Sequence, residues 1–186
     1  MIIANVAAAL PGERDFRRVD IIIKEGKIAA IREAKDLNAH GRSPDPSRDA
    51  NEEVLSARGL LAFPGAIDPH VHFDEPGFTH REDFLHGSAE AARGGVTTVI
   101  DMPCTSLPPV TSPQALEEKL SIVRDRALID FAFYGGITGN MKPEDIPGVV
   151  EALAPRVVGV KSYFISGMET FPAVDEAQFA AAVQAC

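Results

Sequence analysis

In the first third of the chain, short runs of apolar and β-branched residues are separated by polar turn signals. The β-rich runs are residues 19–24, 27–31 and 54–63. Glu25-Gly26, between the first two runs, is typical of a two-residue hairpin turn, and the polar, proline-containing residues 36–53 predict an exposed, mobile loop. We therefore predict a small all-β unit over residues 1–62.

From residue 63 onwards the pattern changes to strands that alternate with helices. The predicted strands are one that ends at His72 and those over residues 96–102, 128–134 and 157–164. The predicted helices are residues 84–93, 113–126, 143–153 and 175–185. We expect Pro147 to shorten or kink the third helix. Four βα units in series predict an α/β fold with a parallel sheet. Because a whole (β/α)8 barrel takes about 250 residues, we interpret residues 63–186 as its first half and expect the N-terminal part of a longer protein.

The composition is that of an ordinary globular protein, with 45% hydrophobic and 24% charged residues. A formal net charge of -9 argues against nucleic acid and anionic membranes as partners. No apolar run approaches the roughly 18–20 residues of a membrane span, and the first residues do not resemble a secretory signal. The two cysteines, Cys104 and Cys186, form no CxxC motif, so we expect a reducing, cytoplasmic location.

Two histidines and an aspartate occupy alternate positions of the first predicted barrel strand. Side chains at i and i+2 of a strand leave the same face, so the imidazoles of His70 and His72 can converge, with Asp68 on the same side. Neutral imidazole is a good ligand for zinc and similar ions. An isolated His-x-His pair also occurs by chance, but the flanking Pro-Gly turns place this pair at the carboxyl end of the strand, where α/β barrels hold their chemistry. We predict a buried metal site on these three residues.

A lysine within an apolar strand is the second candidate. Lys161 lies in the run of residues 158–164, and an unpaired buried ammonium is costly. One explanation is a strand-edge lysine whose amine reaches water or a carboxylate. The other is a buried amine that reacts as a nucleophile, including with CO2. The resulting carbamate would be an anionic ligand with two oxygens, able to bridge two metal ions.

These residues fall within motifs that resemble the cyclic amidohydrolases of the amidohydrolase superfamily, which include allantoinases, dihydroorotases and hydantoinases/dihydropyrimidinases. The resemblance covers nearly the whole chain. The motifs are Pro64-Gly65-x-Ile67-Asp68-x-His70-Val71-His72, Glu75-Pro76-Gly77, Gly94-Gly95-Val96-Thr97-Thr98, Met102-Pro103 and Gly159-Val160-Lys161. The fold that the resemblance implies is the first half of a metal-dependent (β/α)8 TIM barrel, preceded by part of a small β-sandwich domain.

The resemblance also implies the chemistry of the site. His70, His72 and a carboxylated Lys161 would be ligands of two divalent metal ions, with zinc as the expected metal. A hydroxide between the ions would attack the amide carbonyl of a small cyclic substrate. Two further histidines and the general-base aspartate are expected beyond Cys186, so we place no catalytic residue within this chain. Members of the family are often dimers or tetramers, and we expect a homo-oligomer.

Departures from the dihydroorotase pattern guide the choice of substrate. Dihydroorotases carry an arginine, which grips the substrate carboxylate, where this chain has Asp74, and an asparagine where it has Cys104. Residues 102–109 look more like allantoinases. We therefore predict allantoinase-like hydrolysis of a cyclic ureide or amide, with Asp74 as a candidate substrate-binding residue. Dihydroorotase and hydantoinase/dihydropyrimidinase activities are the alternatives.

Two other classes of function stay open on the sequence. A non-catalytic paralogue would keep the barrel and serve in assembly, but it would not need His70, His72 and Lys161 together. A mononuclear deaminase of the same superfamily would bind a single metal ion and would have no use for a bridging lysine.

Overall fold

The computed structural model describes residues 1–34 and 52–186, so most of the loop predicted at residues 36–53 lies outside the described residues. The chain divides into two compact units, Met1–Pro64 and Gly65–Cys186. The division falls two residues after the boundary that the change in pattern predicts. In the described part of the chain, no helix has the length and hydrophobicity needed to cross a membrane.

The first unit is a five-stranded sheet. Its strands are β1 (Ile2–Ala8), β2 (Arg17–Lys24), β3 (Lys27–Glu33), β4 (Val54–Ser56) and β5 (Leu61–Ala62). The sheet order is β3-β2-β1-β4, and β5 also pairs with β1. The predicted hairpin of β2 and β3 is confirmed. Glu25 and Gly26 have φ angles of 51° and 72°, and a type I′ turn requires positive φ at both positions.

The central strand of this sheet, β1, is absent from the prediction. It contains Asn5 and several alanines, which have little preference for strands. Its register with β2 shifts between Ile3 and Val6, where Asn5 has a φ of 65°. The strand predicted over residues 54–63 is in fact two short strands, β4 and β5, with a turn between them at Gly59, whose φ is 84°.

The second unit is built from parallel strands joined through helices. The strands are β6 (Ala66–Val71), β7 (Val96–Asp101), β8 (Asp130–Phe133), β9 (Gly135–Gly136) and β10 (Val160–Lys161). The helices are α1 (Phe84–Arg93), α2 (Pro113–Val123), α3 (Ile146–Leu153) and α4 (Glu176–Ala185). β6, β7 and β8 form one parallel sheet, and β9 pairs in parallel with β10. Since Tyr134 alone separates β8 from β9, the third barrel strand pairs first with the strand before it and then with the strand after it.

The ends of the helices follow local sequence signals, with two differences from the prediction. Asp83, Ser112 and Asp175 cap α1, α2 and α4, and each side chain accepts the backbone N–H three residues later. α2 ends three residues earlier than predicted. α3 begins three residues later than predicted, one residue before Pro147, so the helix is shorter, as expected. The proline lies in the first turn, where its missing N–H is not needed, and not in the helix interior, where it would cause a kink.

Aromatic packing positions the end of the first barrel strand. Phe84 on α1 is fully buried, and the centroid of its ring lies 5.2 Å from that of Phe73, 5.7 Å from that of Phe131 and 6.1 Å from that of Phe133. Because Phe73 directly follows His72, this cluster holds the chain immediately after the predicted metal ligand.

The start of α1 carries an exposed histidine whose pKa responds to a neighbouring glutamate. His86 Nδ1 lies 2.8 Å from Glu82 Oε1, and this hydrogen bond raises the pKa of His86 above 6.5. We expect Glu82→Gln to bring the pKa of His86 back towards 6.5 in an NMR titration of the imidazole. Glu90→Gln removes a weaker neighbouring charge and should change the pKa less.

An unchanged His86 pKa in Glu82→Gln would contradict this pairing. Because the pKa is higher in the folded protein, the pair stabilises α1 fully below the unfolded-state pKa. That contribution is lost as the pH rises through the folded-state pKa.

Candidate functional site

The carboxyl ends of β6 and β10 bring the three predicted metal ligands together. His70 lies in β6 and His72 follows that strand, and the centroids of the two imidazole rings are 5.3 Å apart. Lys161 ends β10, and its Nζ lies 3.1 Å from His70 Nε2. Residues 91 positions apart in the sequence therefore meet at the ends of the first and fourth barrel strands.

The His72 ring is held from the loop that follows β7. Its Nδ1 lies 3.1 Å from Thr105 Oγ1 and 3.9 Å from Cys104 Sγ. Burial lowers the pKa of His72 below 6.5, and the nearby Lys161 ammonium lowers it further. Both effects favour the neutral ring, which is the form that ligates metal ions.

Lys161 is only partly buried, which agrees with the explanation of a strand-edge lysine whose amine reaches water. The strand predicted over residues 157–164 is reduced to the two residues of β10, so the amine lies at a strand end. It lines an open cavity of about 410 Å³. The other lining residues are His70, Met102, Tyr134, Val160, Ser162 and Phe179. Lys161 Nζ also lies 4.9 Å from the centroid of the Tyr163 ring, a cation–π distance. The amine thus contacts a histidine and can be reached by a small molecule from the cavity.

Asp68 does not join the two histidines, contrary to the sequence prediction. Asp68 Oδ1 accepts the backbone N–H of His70 at 3.1 Å, and both residues are exposed. Short aspartate side chains readily make such local backbone bonds. Within residues 1–34 and 52–186, no group of three or more His, Cys, Asp and Glu side chains is arranged to hold a metal ion. The donors that converge are two imidazoles and an amine.

Asp74, the candidate substrate-binding residue, is buried two positions beyond His72. Its φ is 51°, and its Oδ2 lies 3.1 Å from Arg81 Nε. Its Oδ1 is buried and has no hydrogen-bond partner among the described residues. An unpaired buried carboxylate oxygen is costly, and such groups often mark functional positions. Asp74 does not line the 410 Å³ cavity, and its role in substrate binding stays a prediction.

A buried ion pair supports this end of the sheet. Lys119 Nζ on α2 lies 2.5 Å from Oδ2 of Asp101, the last residue of β7, and both side chains are 0% exposed. Asp101 Oδ1 accepts the backbone N–H of Phe73 at 2.8 Å. Burial raises the pKa of Asp101 above its ordinary value, and the Lys119 ammonium opposes that rise. The pair thus connects α2 to the residue that follows His72.

Three residues of this region were missed by the sequence analysis: Thr105, Lys119 and Tyr163. Lys119 carried a readable signal, because it shares the buried stripe of α2 with Leu116 and Val123. Thr105 and Tyr163 lie in loops, and the pattern of apolar positions does not specify where a loop brings its side chains.

The converging donors fit a divalent ion of the zinc type. Because Thr105 engages Nδ1 of His72, Nε2 is the ring nitrogen left for a metal ion. Carboxylation of Lys161 would replace a cation beside His70 with an anion that offers oxygen ligands.

Comparison with known proteins places this site in a family. The model of the Amidohydrolase family matches residues 61–176, which include all three candidate ligands. The chain belongs to the amidohydrolase family. Among its curated relatives, a dihydroorotase from Methanosarcina acetivorans is 40% identical over 127 residues, which are 68% of this chain and 25% of that protein. An allantoinase from Deinococcus radiodurans is 35% identical over 161 residues, which are 86% of this chain and 32% of that protein.

Solved structures confirm the predicted fold. L-Hydantoinase (dihydropyrimidinase) from Arthrobacter aurescens matches 98% of this chain with a TM-score of 0.79 and 30% sequence identity, over 37% of its own chain. The matched part consists of the β-sandwich segment and the start of the barrel. The chain spans about a quarter to a third of the length of the curated relatives it matches. It is a member of the cyclic amidohydrolase family and is similar to allantoinases, dihydroorotases and hydantoinases.

Proposed function

We propose that this chain belongs to a metal-dependent hydrolase that opens the amide bond of a small cyclic ureide, as allantoinases do. The observation that carries the proposal is the meeting of His70, His72 and Lys161 at the carboxyl ends of β6 and β10. This edge of a parallel barrel is where such enzymes hold their chemistry. The similarity to three kinds of cyclic amidohydrolase supports a ring amide as the bond that is cleaved.

The residues of this chain have distinct roles in the proposal. His70 and His72 donate imidazole nitrogens, and the Lys161 amine, carboxylated by CO2, donates oxygens to the same centre. Two divalent ions held there would lower the pKa of water and polarise the amide carbonyl. His70 and Lys161 both line the cavity of about 410 Å³, which places both candidate ligands beside a space that could hold a small ring. The remaining ligands and the general base are expected from other parts of the protein.

Asp74 favours a ring without a carboxylate over dihydroorotate. Dihydroorotases carry at this position the arginine that grips the substrate carboxylate, whereas Asp74 offers no positive charge and pairs with Arg81. Allantoin and hydantoins carry no carboxylate, so they need no such arginine. Dihydroorotate is the second candidate, because the Methanosarcina acetivorans dihydroorotase shares 40% identity with the matched region.

The test is metal analysis and substrate assay of the whole purified protein. We expect two divalent ions per chain and faster hydrolysis of allantoin than of hydantoin, dihydrouracil or dihydroorotate. A preference for dihydroorotate would overturn the substrate choice, and a single ion per chain would contradict the bridging lysine. A fully loaded protein that hydrolyses none of these rings would support the non-catalytic paralogue.

A further inference from the structure

One short segment, residues 101–105, holds the main chain on both sides of His72. On the N-terminal side of His72, the N–H of Met102 donates to the Val71 carbonyl at 2.9 Å. On the C-terminal side of His72, the N–H of Phe73 donates at 2.8 Å to the carboxylate of the segment's first residue, an aspartate. The backbone of His72 is therefore fixed in position by hydrogen bonds from the neighbouring barrel strand and the start of its loop.

The same segment also contacts the imidazole. A histidine with a fixed backbone can still rotate its ring and can carry its proton on either nitrogen. Thr105 Oγ1, 3.1 Å from Nδ1, limits the rotation of the ring and can accept a hydrogen bond from Nδ1–H. Thr105 is only 5% exposed, so little water competes for the bond. Cys104 next to it is fully buried and lies 3.2 Å from the Tyr163 hydroxyl, two residues beyond Lys161. The segment is thus anchored beside both candidate ligand strands.

We infer that Thr105 is a positioning residue for metal binding: its contact with Nδ1 fixes the orientation of the His72 ring, and its hydroxyl accepts from Nδ1–H in the tautomer whose Nε2 lone pair is free. The inference rests on the proposed function and adds to it a residue that touches neither metal nor substrate. Loss of such a hydrogen-bond partner typically weakens metal binding about 10–100-fold.

The test compares three variants of the whole, metal-free protein by zinc titration against a competing chelator. Thr105→Val keeps the size of the side chain but removes the hydroxyl, and should weaken zinc binding about 10–100-fold. Thr105→Ser keeps the hydroxyl and should bind close to the wild-type affinity. Ser106→Ala is the matched control, because Ser106 is fully buried and its Oγ has no hydrogen-bond partner among the described residues. It should leave the affinity unchanged.

Wild-type zinc affinity in Thr105→Val, or an equal loss in Ser106→Ala, would overturn the positioning role. A second readout does not require that the valine variant folds. ¹⁵N NMR of the metal-free wild-type protein should show His72 protonated at Nδ1, and protonation at Nε2 would refute the inference. If the wild-type protein binds no divalent ion, the proposed function itself fails. Wild-type binding with an unaffected valine variant would remove only the role of Thr105.

Discussion

Lys161→Ala is expected to remove the bound metal ions and to lower kcat/KM for the cyclic amide by about 10³-fold or more. The amine lies 3.1 Å from His70 Nε2, so the substitution deletes one of three converging donors. Metal-ion catalysis contributes several kcal/mol to such reactions, and about 4 kcal/mol corresponds to a factor of 10³. Metal analysis and steady-state kinetics of the whole protein measure both effects.

Lys161→Arg is the matched variant that tests whether the Lys161 amine must form a carbamate. Arginine keeps a positive charge beside His70, but its guanidinium stays protonated and does not react with CO2 as an amine does. We expect it to lose metal and activity as completely as the alanine variant. Since Lys161 is only partly buried, both variants should keep the thermal midpoint of the metal-free protein. Full metal content and turnover in either variant would refute the ligand role.

Lys119→Met is expected to destabilise the fold by about 3–5 kcal/mol, because it leaves the Asp101 carboxylate buried without its partner. Chemical denaturation of the metal-free protein measures the loss. Lys142→Met, at an exposed lysine, is the control and should change the free energy of unfolding little. The double variant Lys119→Met/Asp101→Asn should recover part of the loss, since its remaining amide is neutral. A loss in Lys119→Met no larger than in the control would show that the pair is not needed.

The loss in Lys119→Met should also depend on pH. Without the ammonium, burial raises the pKa of Asp101 further above its unfolded value, so the folded protein binds a proton more tightly than the unfolded chain. Stability then falls as the pH rises from the unfolded-state pKa of Asp101 through the folded-state pKa. We expect a smaller difference between wild type and variant at acidic pH than at neutral pH.

Local signals explain which elements were predictable. The β2–β3 hairpin, α1 and α4 were predicted from adjacent residues, such as Glu25-Gly26 for the hairpin turn, although Asp175 caps α4 and does not lie within it. β1 was not predictable in this way, because Asn5 interrupts its apolar pattern and its strand geometry comes from pairing with β2, β4 and β5. The effect of Pro147 could not be predicted from adjacent residues either, since a proline fits the first turn of a helix but breaks its interior, and the position of the first turn was not known.

The candidate site was predictable as far as residue types and strand ends determine it. His70, His72 and Lys161 could be selected from spacing and from a lysine in an apolar strand, and the structure brings them together. Asp68 could not be excluded, because a strand pattern gives the face of a side chain but not its competing bond to a backbone N–H. Thr105 required knowledge of the path of the loop after β7.

The Phe73 N–H, next to His72, donates to the Asp101 carboxylate, so with metal bound at the proposed site, metal binding and the buried ion pair would stabilise the same part of the barrel. A ligand that binds only the folded state at 100 times its dissociation constant adds about 2.7 kcal/mol to stability. That gain is close to the lower end of the loss expected for Lys119→Met. With ample metal, destabilising core substitutions of this kind would change the amount of folded protein little. Under metal limitation, their combined destabilisation would lower the amount of folded protein.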